Sequence, residues 1–190
     1  MEVKKDGITL HVEPDYNPPH PRTDCDHLGT MLGWHRRYNL SDTPKYKEPS
    51  DFWESEEAKN IHVILPVYML DHSGIYLSTT DFADPWDSGQ LGFIYCTKEQ
   101  AQKWYGYLPD EETLKAELRA EIETYNDYLN GSWYEFFIEG MDGEIMDSCG
   151  GFFQNGDMNE LFDDMKQYVE PEFHPLFDKL AAKLERGYAM

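Results

Sequence analysis

The stretch that decides the fold is Ile61-His62-Val63-Ile64-Leu65-Pro66-Val67-Tyr68-Met69-Leu70, followed by Asp71-His72-Ser73-Gly74 and then Ile75-Tyr76-Leu77-Ser78-Thr79-Thr80. Two runs rich in β-branched and aromatic residues flank a four-residue connector containing Gly, which reads as a hairpin. The turn-rich segment Asp84-Pro85-Trp86-Asp87-Ser88-Gly89 leads into a third strand, Leu91 to Thr97. Three neighbouring antiparallel strands are expected at the centre of a sheet.

Outward from there, Thr97-Lys98-Glu99-Gln100 has the form of a capping box and opens a short helix ending near Gly106. From Asp110 to Leu129, Leu114, Leu118, Ile122, Tyr125 and Leu129 recur at three- and four-residue spacing and form one apolar stripe. Trp133–Glu139, Glu144–Ser148 and Gly151–Gln154 return to strand character, and Met158–Tyr168 and Glu172–Arg186 read as two closing helices. On the N-terminal side, residues 7–12 alternate like a strand, and Pro14, Pro18, Pro19 and Pro21 forbid a helix before about Asp24. A short helix is expected over His27 to Tyr38, weakened by Gly29 and Gly33, and one helical turn within the polar segment 41–60. The expectation is one α+β domain over 1–190 with a largely antiparallel sheet, a loop-rich N-terminal third (13–60) and an acidic C-terminal half (106–190).

Composition bounds the function. In 190 residues there are 37 acids and 16 bases, a formal charge of −21, yet 40% of the chain is hydrophobic and 15% aromatic. That much apolar surface excludes a disordered acidic tail, so the charge belongs on a folded surface. Cys25, Cys96 and Cys149 are odd in number and widely spaced, unlike a secreted disulfide framework. The N-terminal residues lack a signal-peptide pattern, and Ile61–Leu70 is about half the length that spans a bilayer. A cytoplasmic protein is expected. Its charge repels anionic lipid and nucleic-acid phosphate, leaving basic protein surfaces as natural partners.

Between Asp110 and Glu172, 18 acids face only Lys115, Arg119 and Lys166. Duplex DNA carries one charge per about 1.7 Å of axis, so roughly twenty charges match one helical turn, close to the width of a domain this size. If the carboxylates gather on one side, they present a DNA-like field to a Lys- and Arg-rich groove. The residues expected to make that surface are Glu111, Glu112, Glu117, Glu121, Asp127, Asp157, Glu160, Asp163 and Asp164. A homodimer would lengthen it. Dispersed charge that merely keeps the protein in solution is the competing reading.

Leu28-Gly29-Thr30-Met31, His35-Arg36-Arg37-Tyr38, the 65–74 block, Pro85-Trp86-Asp87-Ser88-Gly89-Gln90-Leu91-Gly92-Phe93-Ile94-Tyr95 and Asp147-Ser148-Cys149-Gly150-Gly151-Phe152-Phe153 together resemble a family of small, largely uncharacterised proteins of phages, plasmids and other mobile elements. The resemblance covers about residues 21–154, and the Pro-Trp-Asp-Ser-Gly-Gln block is its most specific part. Family members usually have Trp where this chain has Gly150. No catalytic residue carries over. The genomic context implies a counter-defence protein, an anti-CRISPR or antirestriction DNA mimic that blocks a host DNA-binding nuclease stoichiometrically.

Two other classes compete. Asp71-His72-Ser73 and Cys149 with His72 suggest a small hydrolase or nucleotide-modifying enzyme, although neighbouring residues rarely converge as a triad and no Gly-x-Ser-x-Gly elbow occurs. An adaptor for a host protein that does not bind DNA is the other. Cys25-Asp26-His27 with His35 lacks zinc-site spacing, so no metal and no cofactor is expected. His35-Arg36-Arg37-Tyr38 is the one compact basic and aromatic cluster; Arg36 and Arg37 are expected to pair with acids of the same domain, and with Trp86 they are also the candidate interface anchors. Trp34, Trp86, Trp104 and Trp133 are otherwise expected in the core or at its edge.

Overall fold

A computed structural model describes residues 1–154 and 157–188. In chain order the elements are β1 (Glu2–Lys5), β2 (Ile8–Pro14), β3 (Thr30–Gly33), α1 (Pro49–Trp53), α2 (Glu56–Lys59), β4 (Ile61–Asp71), β5 (Ile75–Ser78), β6 (Ser88–Thr97), α3 (Lys98–Tyr105), α4 (Glu111–Asn130), β7 (Trp133–Glu139), β8 (Ile145–Phe153), α5 (Met158–Met165) and α6 (His174–Tyr188). Every strand pairing is antiparallel, and the class is α+β. Where the sequence suggests one domain around one sheet, the chain divides into two compact units, residues 1–19 with 131–190 and residues 20–130. Each has its own four-stranded sheet, ordered β1-β2-β7-β8 and β3-β6-β4-β5.

The second unit is built as layers on the hairpin that the sequence announces. On one face of its sheet, Leu114, Leu118, Ile122 and Tyr125 of α4 pack with Val63, Val67, Leu77 and Ile94. Phe52 of α1 fills the other face with Leu32, Phe93 and Tyr95. Strand β6 is therefore buried on both sides, as a central strand must be. Pairing with β4 passes from Val67↔Gly92 to Tyr68↔Gln90, so Leu91 is an extra, bulged residue. The bulge turns Leu91 to the α4 side with Ile94, whereas strict alternation would put it with Phe93 and Tyr95. A Cβ on Gly92 would come within 2.0 Å of the Leu32 carbonyl, so only glycine lets β3 close on β6 there.

The helix expected over His27–Tyr38 is instead the strand β3 flanked by loops. Local pattern loses to tertiary pairing at this point. A Cβ at Gly29 would meet Leu118 Cδ2 at 2.5 Å, so the chain enters β3 pressed onto α4 at a position where any side chain would have to displace Leu118 and Ile94. The capping box at Thr97 and Gln100 is present, with Gly106 in the left-handed conformation closing α3.

In the first unit, Val3, Leu10, Val12, Phe136, Ile138 and Phe152 line one sheet face and bury Leu161, Phe162, Met165, Leu176, Phe177 and Leu180 of α5 and α6. The two strands expected at 144–154 are one continuous strand, β8, and the two closing helices are α5 and α6, each extended by a 3-10 turn. Among the described residues no helix is long and apolar enough to cross a membrane.

Candidate interaction surfaces

Helix α5 follows directly from its sequence. Asp157 caps it by accepting from the backbone N–H groups of Asn159 and Glu160 at 2.7 and 3.0 Å. Leu161, Phe162 and Met165 are buried, and the solvent side carries Asp157, Glu160, Asp163 and Asp164, all exposed. Residues three and four apart on a helix stand about 5–6 Å from each other, so these carboxylates form a close ladder. Lys166 answers part of it, reaching Asp163 and Asp178 at 2.8 Å each. The first unit holds 17 acids and 6 bases in its 79 residues, and the second 20 acids and 10 bases in 111. The charge is thus denser in the first.

Helix α4 corrects the sequence reading. Glu121, expected on the exposed acidic surface, has only 10% of its side chain exposed and is held by Arg22, whose Nη1 donates to Oε2 at 2.7 Å. Its other oxygen accepts from the backbone N–H groups of Leu28 and Gly29 at 2.7 and 3.0 Å. Arg22 also donates through Nε to Asp42 at 2.9 Å and through Nη2 to the Gly29 carbonyl at 2.8 Å. Glu121 therefore organises the proline-rich entry to β3 and is not free for a partner. Glu117 is half-buried and accepts from the Tyr105 hydroxyl at 3.1 Å. Burial, with Glu117 beside it, pushes the Tyr105 hydroxyl up to about 12. Asp127 is half-buried too; burial and the neighbouring Glu123 charge raise its pKa. Glu111 and Glu112 are exposed but share Lys115, at 3.8 and 2.8 Å. Of the five α4 carboxylates expected to face a partner, two remain on the open surface.

The second unit brings the three candidate anchors to one place. Arg36, Arg37 and Trp86 line a cleft of about 270 Å³ with His35, Asp71 and Asp87, floored by the bulge at Gln90 and Leu91. Trp86, expected near the core, is 91% exposed. The turn before it explains why, because Asp84 Oδ1 accepts from the backbone N–H groups of both Trp86 and Asp87 at 2.9 Å and holds the indole outward. Those two bonds keep the Asp84 carboxyl below its ordinary pKa.

Most polar groups at the cleft are paired with one another or with their neighbours. Arg37 donates to Asp71 Oδ2, and the Tyr38 hydroxyl lies 3.5 Å from Asp71 Oδ1. His72 Nδ1 is 2.8 Å from Asp87 Oδ2, and His35 stacks on Tyr38 with ring centroids 5.1 Å apart. Asp71 and His72 thus turn to different partners and do not form the dyad their adjacency suggests. Cys149 lies on β8 in the first unit and His72 in the second. Cys96 is buried and inert, its thiol pushed up to about 11 by burial and the Glu121 charge. Among the described residues no three His, Cys, Asp or Glu side chains are placed to hold a metal ion.

No family model, curated protein or solved structure matches this chain.

Proposed function

We propose that this is a binding protein of a phage or other mobile element, a counter-defence protein that acts stoichiometrically on a basic, DNA-binding host defence protein of CRISPR or restriction type. The reading rests on the four exposed carboxylates of α5 and its cap, Asp157, Glu160, Asp163 and Asp164, within a unit whose acids outnumber its bases almost three to one. Asp157 caps the helix and Asp163 pairs with Lys166, but among the described residues Glu160 and Asp164 have no such structural work. The charge instead fits a groove that normally holds phosphates, and it steers association electrostatically. The acidic set is smaller than composition suggests, because Glu117, Glu121 and Asp127 of the second unit are engaged or half-buried.

The test is DNA loading by a panel of purified CRISPR nuclease complexes and restriction enzymes, with and without the protein. At least one member is expected to lose DNA binding, with an affinity that falls steeply between about 0.05 and 0.5 M salt. The triple variant Glu160→Gln, Asp163→Asn, Asp164→Asn is expected to bind at least about tenfold more weakly, since it removes three charges from a desolvated contact. Inhibition that is flat in salt and indifferent to the triple variant would refute mimicry.

A further inference from the structure

We infer that the cleft lined by Arg36 and Trp86 is a binding site for a nucleoside monophosphate, a role that does not depend on the acidic surface. Most groups in and around the cleft are satisfied by their neighbours. Arg37 is turned to Asp71, the His72 ring to Asp87, His35 to Tyr38, and the Asp84 carboxylate to its own turn. Gln90 donates to the Gly92 carbonyl at 3.2 Å, and Ser88 donates to the Asp84 carbonyl at 2.6 Å.

Two lining groups have no partner among the described residues. The Arg36 guanidinium makes no hydrogen bond or ion pair, although the unit around it has twice as many acids as bases. The Trp86 indole, 91% exposed, makes no ring contact. An unpaired cation and an unstacked aromatic plane that line the same cleft fit a ligand that carries an anionic group and a flat π-system on one small frame. Guanidinium recognises phosphate through paired N–H donors, and an indole stacks on any base. Asp87, which also lines the cleft and meets His72 through Oδ2, keeps Oδ1 as an acceptor for an exocyclic amine or a ribose hydroxyl.

Size and charge narrow the class. About 270 Å³ lies just below the usual range for small-molecule pockets and suits one nucleotide, not a dinucleotide cofactor. A polymer would bring a run of phosphates against a chain of net charge −21, whereas a monophosphate brings at most two charges. The bulge at Leu91 gives the cleft a rigid floor, since Gly92 locks that part of β6 against β3.

The test is titration of the full chain with adenosine, guanosine, cytidine and uridine 5′-monophosphates, followed by calorimetry and tryptophan fluorescence. Adenosine, inorganic phosphate and a single-stranded 12-mer oligonucleotide serve as partial or extended probes. At least one monophosphate is expected to bind with one-to-one stoichiometry and quench fluorescence. Its affinity should fall at least tenfold in Arg36→Gln and in Trp86→Ala, and stay unchanged in Trp104→Ala. Both anchors are surface residues, so melting temperatures should match the parent and separate lost binding from lost fold. No saturable binding at millimolar monophosphate overturns the assignment, as does equal affinity in the variants or binding of the oligonucleotide alone.

Discussion

Arg22 and Glu121, 99 positions apart in the chain, meet as a buried ion pair at 2.7 Å, with Arg22 only 3% exposed at its side chain and Glu121 10%. The pair joins the start of the second unit to its longest helix, and two backbone N–H groups complete the carboxylate's coordination. Removing the carboxylate leaves Arg22 with Asp42 and the Gly29 carbonyl, but takes the acceptor from its Nη1 and from the backbone N–H groups of Leu28 and Gly29. Glu121→Ala is expected to lower stability by about 3–5 kcal/mol, read as a drop in the denaturant midpoint of urea unfolding.

Glu57 is expected to govern part of the acid unfolding. Burial by itself would raise its pKa, but donation from Lys45, Tyr46 and Tyr95 outweighs it and holds the carboxyl at about 2. A folded-state pKa below the unfolded one contributes stability that is complete above the unfolded value, about 4.3. It is lost as pH falls from there through about 2. In Glu57→Gln that component should vanish, leaving a shallower decline in melting temperature between pH 4.5 and 2; an unchanged slope would contradict the assignment.

Glu135 should behave in the opposite sense. It lies across from Glu13 in the β2–β7 register, and burial together with the Asp15 and Glu13 charges raises its pKa. Ionising it costs more in the folded chain than in the unfolded one, so Glu135→Gln should stabilise the protein at neutral pH. The gain should disappear as pH falls below the ordinary glutamate range, where both states are protonated. Melting curves at pH 7 and pH 3.5 test it.

At Gly92, alanine would drive its methyl to 2.0 Å from the Leu32 carbonyl oxygen, which is backbone and cannot swing away. Gly92→Ala should destabilise by about 3 kcal/mol, at the upper end for overpacking. Gly89→Ala is the control, because a Cβ at Gly89 meets nothing within 4 Å.

These positions also mark where the sequence is legible. The α4 stripe, the capping box at 97–100, the hairpin at 61–80 and β7 all depend on local periodicity and short-range hydrogen bonds, and each appears in place. The strand β3 is not legible, because its conformation comes from pairing with β6, about 60 residues later, and from close approach at Gly29. Position on α4 likewise says that Glu121 lies off the apolar stripe. It does not say that a buried arginine waits there. A proline-rich segment ending in a lone Arg between acids was the available signal for that pair. The exposure of Trp86 is hidden for a different reason, since hydrophobic size suggests burial while the Asp84 turn points it outward through hydrogen bonds to the backbone.

The first unit is assembled from both ends of the chain, since β2 pairs with β7 and the whole second unit is spliced between them. During translation β2 therefore waits for about 120 further residues before its neighbour exists, roughly 6–24 s at ribosomal speeds. In that interval the inserted unit has emerged in full and can fold first. The nascent polypeptide carries an unsatisfied strand edge throughout, and the prolines at 18, 19 and 21, which follow β2 and have no N–H to offer a β ladder, guard one end of it against pairing with a stranger.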